Sequence, residues 1–347
     1  MSSIQKRPYG TTQAGEPVEA YTLVNEGLTA EIITFGGILT RLLVPDRNGM
    51  PADVMLAFDS LAPFEKPGPY FGALIGRVGN RTAKGRFTLH GKTHILATNN
   101  GANHLHGGLK GYDKRVWKAA AATSPDGPTL TLTLTDKDGT EGYPGTVEVT
   151  VVYTLRAGAL RLDYSATTDK ATPINLTHHA YFNLKDGGAS DVLGHVLQID
   201  ADGYTPVDEG LIPTGQIAPV KGTPIDFTAP KPIGKDLKAM GGDPAGYDHN
   251  LVLRHQNGSL ARAAVVTEPT TGRKLEVWTT EPGMQFYSGN FLDGAKGKGG
   301  IAYHRHHGFC LETQHYPDAI NRPEWPSIVL QPGQKYHSVT EFRFGIA

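Results

Sequence analysis

Glu312 stands inside Phe309-Cys310-Leu311-Glu312-Thr313-Gln314, an otherwise apolar, strand-like run. An unpaired carboxylate is expensive to bury, so a residue in this setting needs either a partner or a task such as proton transfer. The stretch Asn175-Leu176-Thr177-His178-His179-Ala180-Tyr181-Phe182-Asn183-Leu184 sets two histidines side by side. Adjacent side chains of an extended chain point to opposite faces, so only one of them lines a given pocket. Imidazole titrates near neutrality, which suits that one to donating a proton to a weakly basic oxygen. A satisfied core or surface histidine is the ordinary alternative.

Three further stretches offer groups that bind polar ligands. Gly76-Arg77-Val78-Gly79-Asn80-Arg81 supplies two guanidinium forks and an amide, donors suited to hydroxyl oxygens, although arginines near glycine are commonly surface or ion-pair residues. Its glycine spacing does not fit the dinucleotide pattern G-x-G-x-x-G. Asn103-His104-Leu105-His106-Gly107-Gly108, if extended, places both histidines on one face at a spacing that metal sites use. Neither Cys-x-x-Cys nor His-Glu-x-x-His accompanies it, and no metal is expected. Gly246-Tyr247-Asp248-His249-Asn250 puts a carboxylate in a polar loop, where it can accept from two neighbouring ligand hydroxyls or serve as a turn residue. Cys310 reads as a small core hydrophobe, and Tyr303-His304-Arg305-His306-His307 as a solvated polar loop rather than a metal site.

The elements that position these groups are mainly strands. Thr129-Leu130-Thr131-Leu132-Thr133-Leu134-Thr135 alternates strictly and predicts a half-buried strand with leucines on one face. Residues 147–155 and 160–164 are rich in β-branched and aromatic types, and Arg156-Ala157-Gly158-Ala159 between them reads as a hairpin turn. Residues 263–267 and 274–279 repeat the design around Glu268-Pro269-Thr270-Thr271-Gly272-Arg273. The 43 Gly and 24 Pro in 347 residues suit many short strands joined by turns and leave little room for long amphipathic helices. Residues 294–300 are Gly-rich and read as a mobile surface loop. No composition shift marks a boundary, so a single unit over residues 1–347 is expected, and 39% hydrophobic content supports a large core.

Charge and cysteine usage narrow the partners. With 33 Lys plus Arg against 34 Asp plus Glu, no long-range field favours nucleic acid or an anionic membrane, and the expected ligand is neutral. One cysteine forms no internal disulfide, the first residues carry no apolar signal-like stretch, and no run approaches the ~18 apolar residues of a membrane span. A cytoplasmic location is the resulting expectation.

Taken together and in order, GRVGNR, NHLHGG, LTHHAYFNL, GYDHN, PGMQFYSGNF and FCLETQHYPDAIN resemble the galactose mutarotase family. The resemblance runs from Phe35-Gly36-Gly37 to the closing Lys335-Tyr336 region, nearly the whole chain. It implies an all-β fold, the large β-supersandwich of the galactose mutarotase-like type, as a single domain over 1–347 with the sugar in a cleft on the sheet and no metal or organic cofactor. It also implies that Glu312 is the catalytic base and His179 the catalytic acid. His178 is then the neighbour facing away, a position where many relatives carry another polar residue. Asn80, Arg81, His106, Asp248 and Gln285 fall on the family's substrate-binding positions.

The activity so implied is an aldose 1-epimerase, which interconverts the α and β anomers of a free aldose. Glu312 takes the proton of the C1 hydroxyl while protonated His179 supplies one to the ring oxygen, and pKa values bracketing neutrality let the pair run in reverse. Tyr181 or Phe286 is the aromatic ring expected against the sugar's apolar face. The competing readings are a non-catalytic carbohydrate-binding protein, a hexose-6-phosphate 1-epimerase, which needs a cationic phosphate pocket, and a glycoside hydrolase using Glu312 with Asp248. The partner expected is a small neutral monosaccharide, with no nucleic acid or membrane, and the chain is expected to be a monomer or weak homodimer.

Overall fold

A computed structural model describes residues 2–347. Its largest sheet has nine strands, in spatial order Lys118–Ser124, Gly127–Asp136, Val147–Arg156, Ala159–Thr168, Tyr336–Ile346, Arg273–Thr279, Ala261–Thr267, Val196–Ile199 and Lys231–Pro232. Neighbours pair antiparallel throughout. The threonine-leucine alternation lies in Gly127–Asp136 as expected: Leu130, Leu132 and Leu134 are buried while Thr129, Thr131 and Thr133 are half-buried. Both expected hairpins form. Arg156 pairs with Ala159 across a two-residue turn in which Gly158 has φ +69°, a left-handed value natural to glycine, and Thr267 pairs with Lys274 around the second turn.

An amino-terminal sheet of five strands, Ser3–Thr11, Pro17–Asn25, Leu28–Ile33, Leu39–Pro45 and Pro51–Asp53, packs on the large sheet. Leu23, Ile32, Leu132, Val151, Leu162, Val277 and Phe342, all essentially inaccessible, belong to one continuous cluster that joins the two sheets. Each buried leucine there stabilises the fold by about 1.5–3 kcal/mol relative to an exposed one. Leu61–Glu65 is the one α-helix among the described residues, in keeping with the low helical content expected. None of the described helices is long and apolar enough to cross a membrane.

A second five-stranded sheet carries the chemistry-bearing strands, in order Ala218–Pro219, Ala201–Tyr204, Asp248–Leu253, Gly283–Tyr287 and Cys310–Gln314. Asp248 therefore opens a strand rather than sitting in a loop, because the apolar Leu251-Val252-Leu253 that follows pairs with Gly283 and Met284. The Gly-rich stretch 294–300 also departs from expectation. Ala295–Lys296 pairs with Ala302–Tyr303, and the half-buried Lys298 donates through Nζ to the Thr40 carbonyl at 2.8 Å and to Asp53 at 2.6 Å, which ties the loop to the amino-terminal sheet.

Candidate active site

Register brings the first group together. Gln285 lies directly opposite Glu312 on the neighbouring strand, and Asp248 lies opposite Tyr287 on the other side, so alternate residues of three strands present Asp248, Gln285, Tyr287 and Glu312 to one face. His179 arrives from elsewhere: Thr177–His179 pairs with Ala73–Ile75, and the Gly72 N–H donates to the His179 carbonyl at 2.9 Å. Asn80, Arg81 and His106 come from two loops joined by the short ladder of Arg81–Thr82 with His104–Leu105. All seven of Glu312, His179, Asn80, Arg81, His106, Asp248 and Gln285 line a single cavity of about 740 Å³.

Several neighbours of these residues fall elsewhere than expected. Arg77 turns away from the cavity; its fully buried guanidinium pairs with Asp136 at 2.8 Å and donates to the Pro144 carbonyl, so of the two forks only Arg81 lines the cavity. His104 and His106 do not share a face, because His106 leaves extended geometry at φ +52°. His104 instead meets the Ala97 carbonyl and the Tyr143 hydroxyl, at 2.8 and 2.7 Å. Gly107 follows at φ +84°, and a Cβ there would collide with the Gly76 carbonyl, which accounts for glycine at this close approach. Phe286 faces the core against Tyr247 and Phe227, and Tyr70, Tyr181, Tyr287 and Phe291 are the cavity's rings. The histidines of residues 304–307 stay outside the cavity; His306 and His307 hydrogen-bond the Ser288 and Gly188 carbonyls.

Alternation separates the adjacent histidines. His179 lines the cavity, whereas His178 is buried between Tyr153 and Phe342 with both ring nitrogens unpartnered, and burial pushes its pKa down to about 3. Nε2 of His179 stands 3.6 Å from Oε1 of Glu312. Its Nδ1 meets the Cys310 sulfur at 3.5 Å, so the cysteine, though buried, also touches the site. Burial drives Glu312 well above the ordinary carboxylate range, helped by the like charge of Asp248 and opposed by Arg81. The same burial pushes His179 down to about 3. Both groups are thus driven toward their neutral forms, and the expected bracketing of neutrality is inverted because desolvation outweighs their mutual attraction.

The remaining groups are held by one another. Gln285 donates to Asp248 at 2.7 Å, Arg81 Nε donates to Asn100 at 3.0 Å, and the Arg81 guanidinium approaches Asp248 at 3.9 Å. The Asn80 N–H donates to Nδ1 of His106 at 3.1 Å. A ring nitrogen that accepts has no proton, so the other nitrogen of neutral His106 carries it and can donate to a hydroxyl. Ligand atoms of His106, His179 and Glu312 lie within 4.8 Å of one another, a metal-like grouping. The tautomer weighs against a metal there: His106 has already committed its lone pair to Asn80, which leaves two ligands where a tight site needs three or four. Asn80 and His106 both hold left-handed φ, +60° and +52°, local strain of a kind that gathers at functional sites.

The cavity thus combines a closely spaced carboxylate and imidazole with a ring of hydroxyl-binding groups. A sequence model described as aldose 1-epimerase matches residues 19–343. The chain belongs to the aldose 1-epimerase family. It is similar to galactose mutarotase from Bos taurus, 46% identical over 100% of both chains, and to that from Homo sapiens, 44% identical over 100% of both. An aldose 1-epimerase of Escherichia coli strain K12 is 38% identical over 95% of this chain and 96% of its own. Among solved structures, a galactose 1-epimerase from Lactobacillus acidophilus superposes with a TM-score of 0.86 at 27% identity, covering all of both chains. An aldose epimerase homologue from C. elegans does so at 0.84 and 30% identity, again over all of both. The fold is accordingly the galactose mutarotase-like β-sandwich. As an aldose 1-epimerase, the protein is an isomerase that interconverts the α and β anomers of an aldose.

Proposed function

We propose that Glu312 and His179 carry out this isomerisation as base and acid on a free monosaccharide, galactose first among the candidates because the mammalian relatives are galactose mutarotases. The observation that carries the assignment is the 3.6 Å approach of the two side chains inside a cavity that can enclose a sugar. Glu312 takes the proton of the C1 hydroxyl, His179 gives one to the ring oxygen, and the bond from C1 to the ring oxygen breaks to leave the aldehyde. Rotation about the C1 to C2 bond and the reverse transfers close the other anomer. Each positioned proton transfer contributes about 10²–10⁴-fold.

Desolvation helps the opening step. Before it the pair is charged, carboxylate and imidazolium; after it both are neutral, the forms that burial favours for Glu312 and His179. The charged pair is a minor arrangement of the one shared proton in the free enzyme. A bound sugar hydroxyl and Arg81, which already lowers the Glu312 pKa, favour it on binding. Asn80, Arg81, His106, Asp248 and Gln285 hold the non-reacting hydroxyls, with no metal or organic cofactor in the scheme.

The rivals fit less well. A phosphorylated hexose requires cationic groups, but the lining holds four carboxylates, from Glu209, Asp248, Asp293 and Glu312, against the single guanidinium of Arg81. A glycoside hydrolase requires Asp248 as a second free carboxyl, and it is engaged by Gln285 and Arg81. A binding module has no use for a buried acid and base in contact. Continuity of one core cluster from Tyr21 to Phe342 supports a single domain over 1–347. The lone buried cysteine fits a cytoplasmic location. A monomer or weak homodimer, free of nucleic acid and membrane, stays our reading of the near-neutral charge balance.

Polarimetry of freshly dissolved α-galactose and α-glucose tests the scheme. Wild type accelerates the approach to equilibrium, and Glu312→Gln and His179→Asn each abolish nearly all of that acceleration. Wild-type rates in either variant would remove that residue from its role.

A further inference from the structure

Tyr70 belongs to none of the motifs above, yet its ring stacks on the imidazole of the proposed acid. Its centroid lies 5.7 Å from that of His179 at an interplanar angle of 23°, and Tyr181 stacks on the same imidazole at 5.0 Å and 17°. Tyr70 also meets His106 edge-on at 4.7 Å. Its backbone is in the left-handed region at φ +61°, a conformation a bulky residue keeps only when its surroundings hold it there. The surroundings do so. The Ala73 N–H donates to the Tyr70 carbonyl at 3.1 Å, and Ala73 is the residue paired with His179, so the same short ladder fixes the tyrosine and the histidine relative to each other. Tyr70 and His179 line the one cavity.

We propose that Tyr70 is a positioning residue for the catalytic acid, its electron-rich ring face stabilising the imidazolium of His179 and setting the plane in which its proton is offered. The inference rests on the assignment of His179 as the acid. The chemistry follows from what else touches His179. The titratable groups facing it are Glu312, His106, Cys310, Tyr70, Tyr181 and the adjoining His178; of these only Glu312 is able to balance a positive imidazolium, and it is consumed as the base. Lys114, whose Nζ lies 5.9 Å from the Tyr70 ring, and the nearby Asp113 act on Tyr70. Ring faces stabilise a cation without offering it a competing acceptor, so the proton remains free to move. A leucine in the same space excludes water equally well and gives nothing back.

The test compares Tyr70→Leu with Tyr70→Phe, measuring kcat and KM for galactose from pH 4 to 9. Tyr70→Leu is expected to lower kcat about tenfold while KM changes by less than about threefold, and Tyr70→Phe to restore most of kcat. In a His179→Asn background Tyr70→Leu is expected to lower kcat no further. A second measurement covers a leucine variant that fails to fold: phenylalanine, monofluoro-phenylalanine and pentafluoro-phenylalanine incorporated at position 70 keep the ring's shape and progressively remove its negative face, and kcat is expected to fall along that series. A flat series with His179→Asn inactive overturns the proposal and leaves the acid assignment standing. Full activity in His179→Asn overturns both.

Discussion

Nδ1 of His106 accepts the Asn80 N–H at 3.1 Å, and this one bond decides that the other nitrogen of the imidazole is the donor. His106→Ala is therefore expected to raise KM for galactose by about tenfold or more, the value of a lost buried hydrogen bond, with a smaller effect on kcat. Because that bond also takes the one lone pair of neutral His106, leaving the cavity-facing nitrogen protonated, dialysis against EDTA is expected to leave wild-type activity intact. Loss on dialysis with recovery on adding zinc would contradict the tautomer.

The inverted directions of Glu312 and His179 shape the pH profile. A pair sharing one proton is active, as a constant fraction, between the loss of that proton and the gain of a second. The acid limb of kcat/KM then follows His179, whose pKa is pushed down to about 3, and the alkaline limb follows Glu312, whose pKa is raised. Activity is expected to hold well below pH 6.5, the ordinary histidine value. Asp248 is one cause of the rise at Glu312, so Asp248→Asn is expected to move the alkaline limb to lower pH as well as to raise KM. An acid limb at an ordinary histidine value would show that the imidazole titrates unperturbed.

A carboxyl kept in so dry a place destabilises the fold. The folded-state pKa of Glu312 lies above its ordinary value of 4.5, so the folded protein holds this proton longer than the unfolded chain and stability falls as pH rises from about 4.5 toward the raised pKa. Glu312→Gln removes that loss. Calorimetry is expected to give the variant a Tm a few degrees above wild type at pH 8, with the difference vanishing near pH 4. Equal Tm values at pH 8 would mean that Glu312 is compensated in the folded state.

His178 provides the contrasting case. It is buried and neutral, with an ordinary pKa of 6.5 lowered to about 3, so the unfolded chain takes up a proton that the folded protein refuses. Stability is unaffected above pH 6.5 and declines as pH falls from there toward 3. His178→Leu is expected to retain mutarotase activity and to melt above wild type at pH 5. A loss of activity comparable to that of His179→Asn would instead place the proton donor at His178.

What could be read in advance follows from how local each signal is. The leucine alternation of residues 129–135, the hairpin at Ala157-Gly158 and the separation of His178 from His179 depend on strand geometry alone, and each appears as expected. The seven motif-derived site residues converge on one cavity, although no spacing rule could have joined Asn80 to Glu312. The departures come from long-range contacts. Arg77 is claimed by Asp136, Lys298 by Asp53, and Phe286 by Tyr247, partners at least 39 residues away in each case. Tyr70 gave no signal beyond following Pro67-Gly68-Pro69, since its value lies in stacking on a residue more than a hundred positions later.

The strand Tyr336–Ile346 lies inside the nine-stranded sheet, bonded to Ala159–Thr168 on one edge and Arg273–Thr279 on the other. During synthesis the first of these waits for Tyr336–Ile346 with its hydrogen-bonding edge open, so the large sheet cannot close until that strand has left the ribosome. Chains cut short before Tyr336 are left with two unmatched sheet edges and should collect in aggregates rather than in a smaller working enzyme.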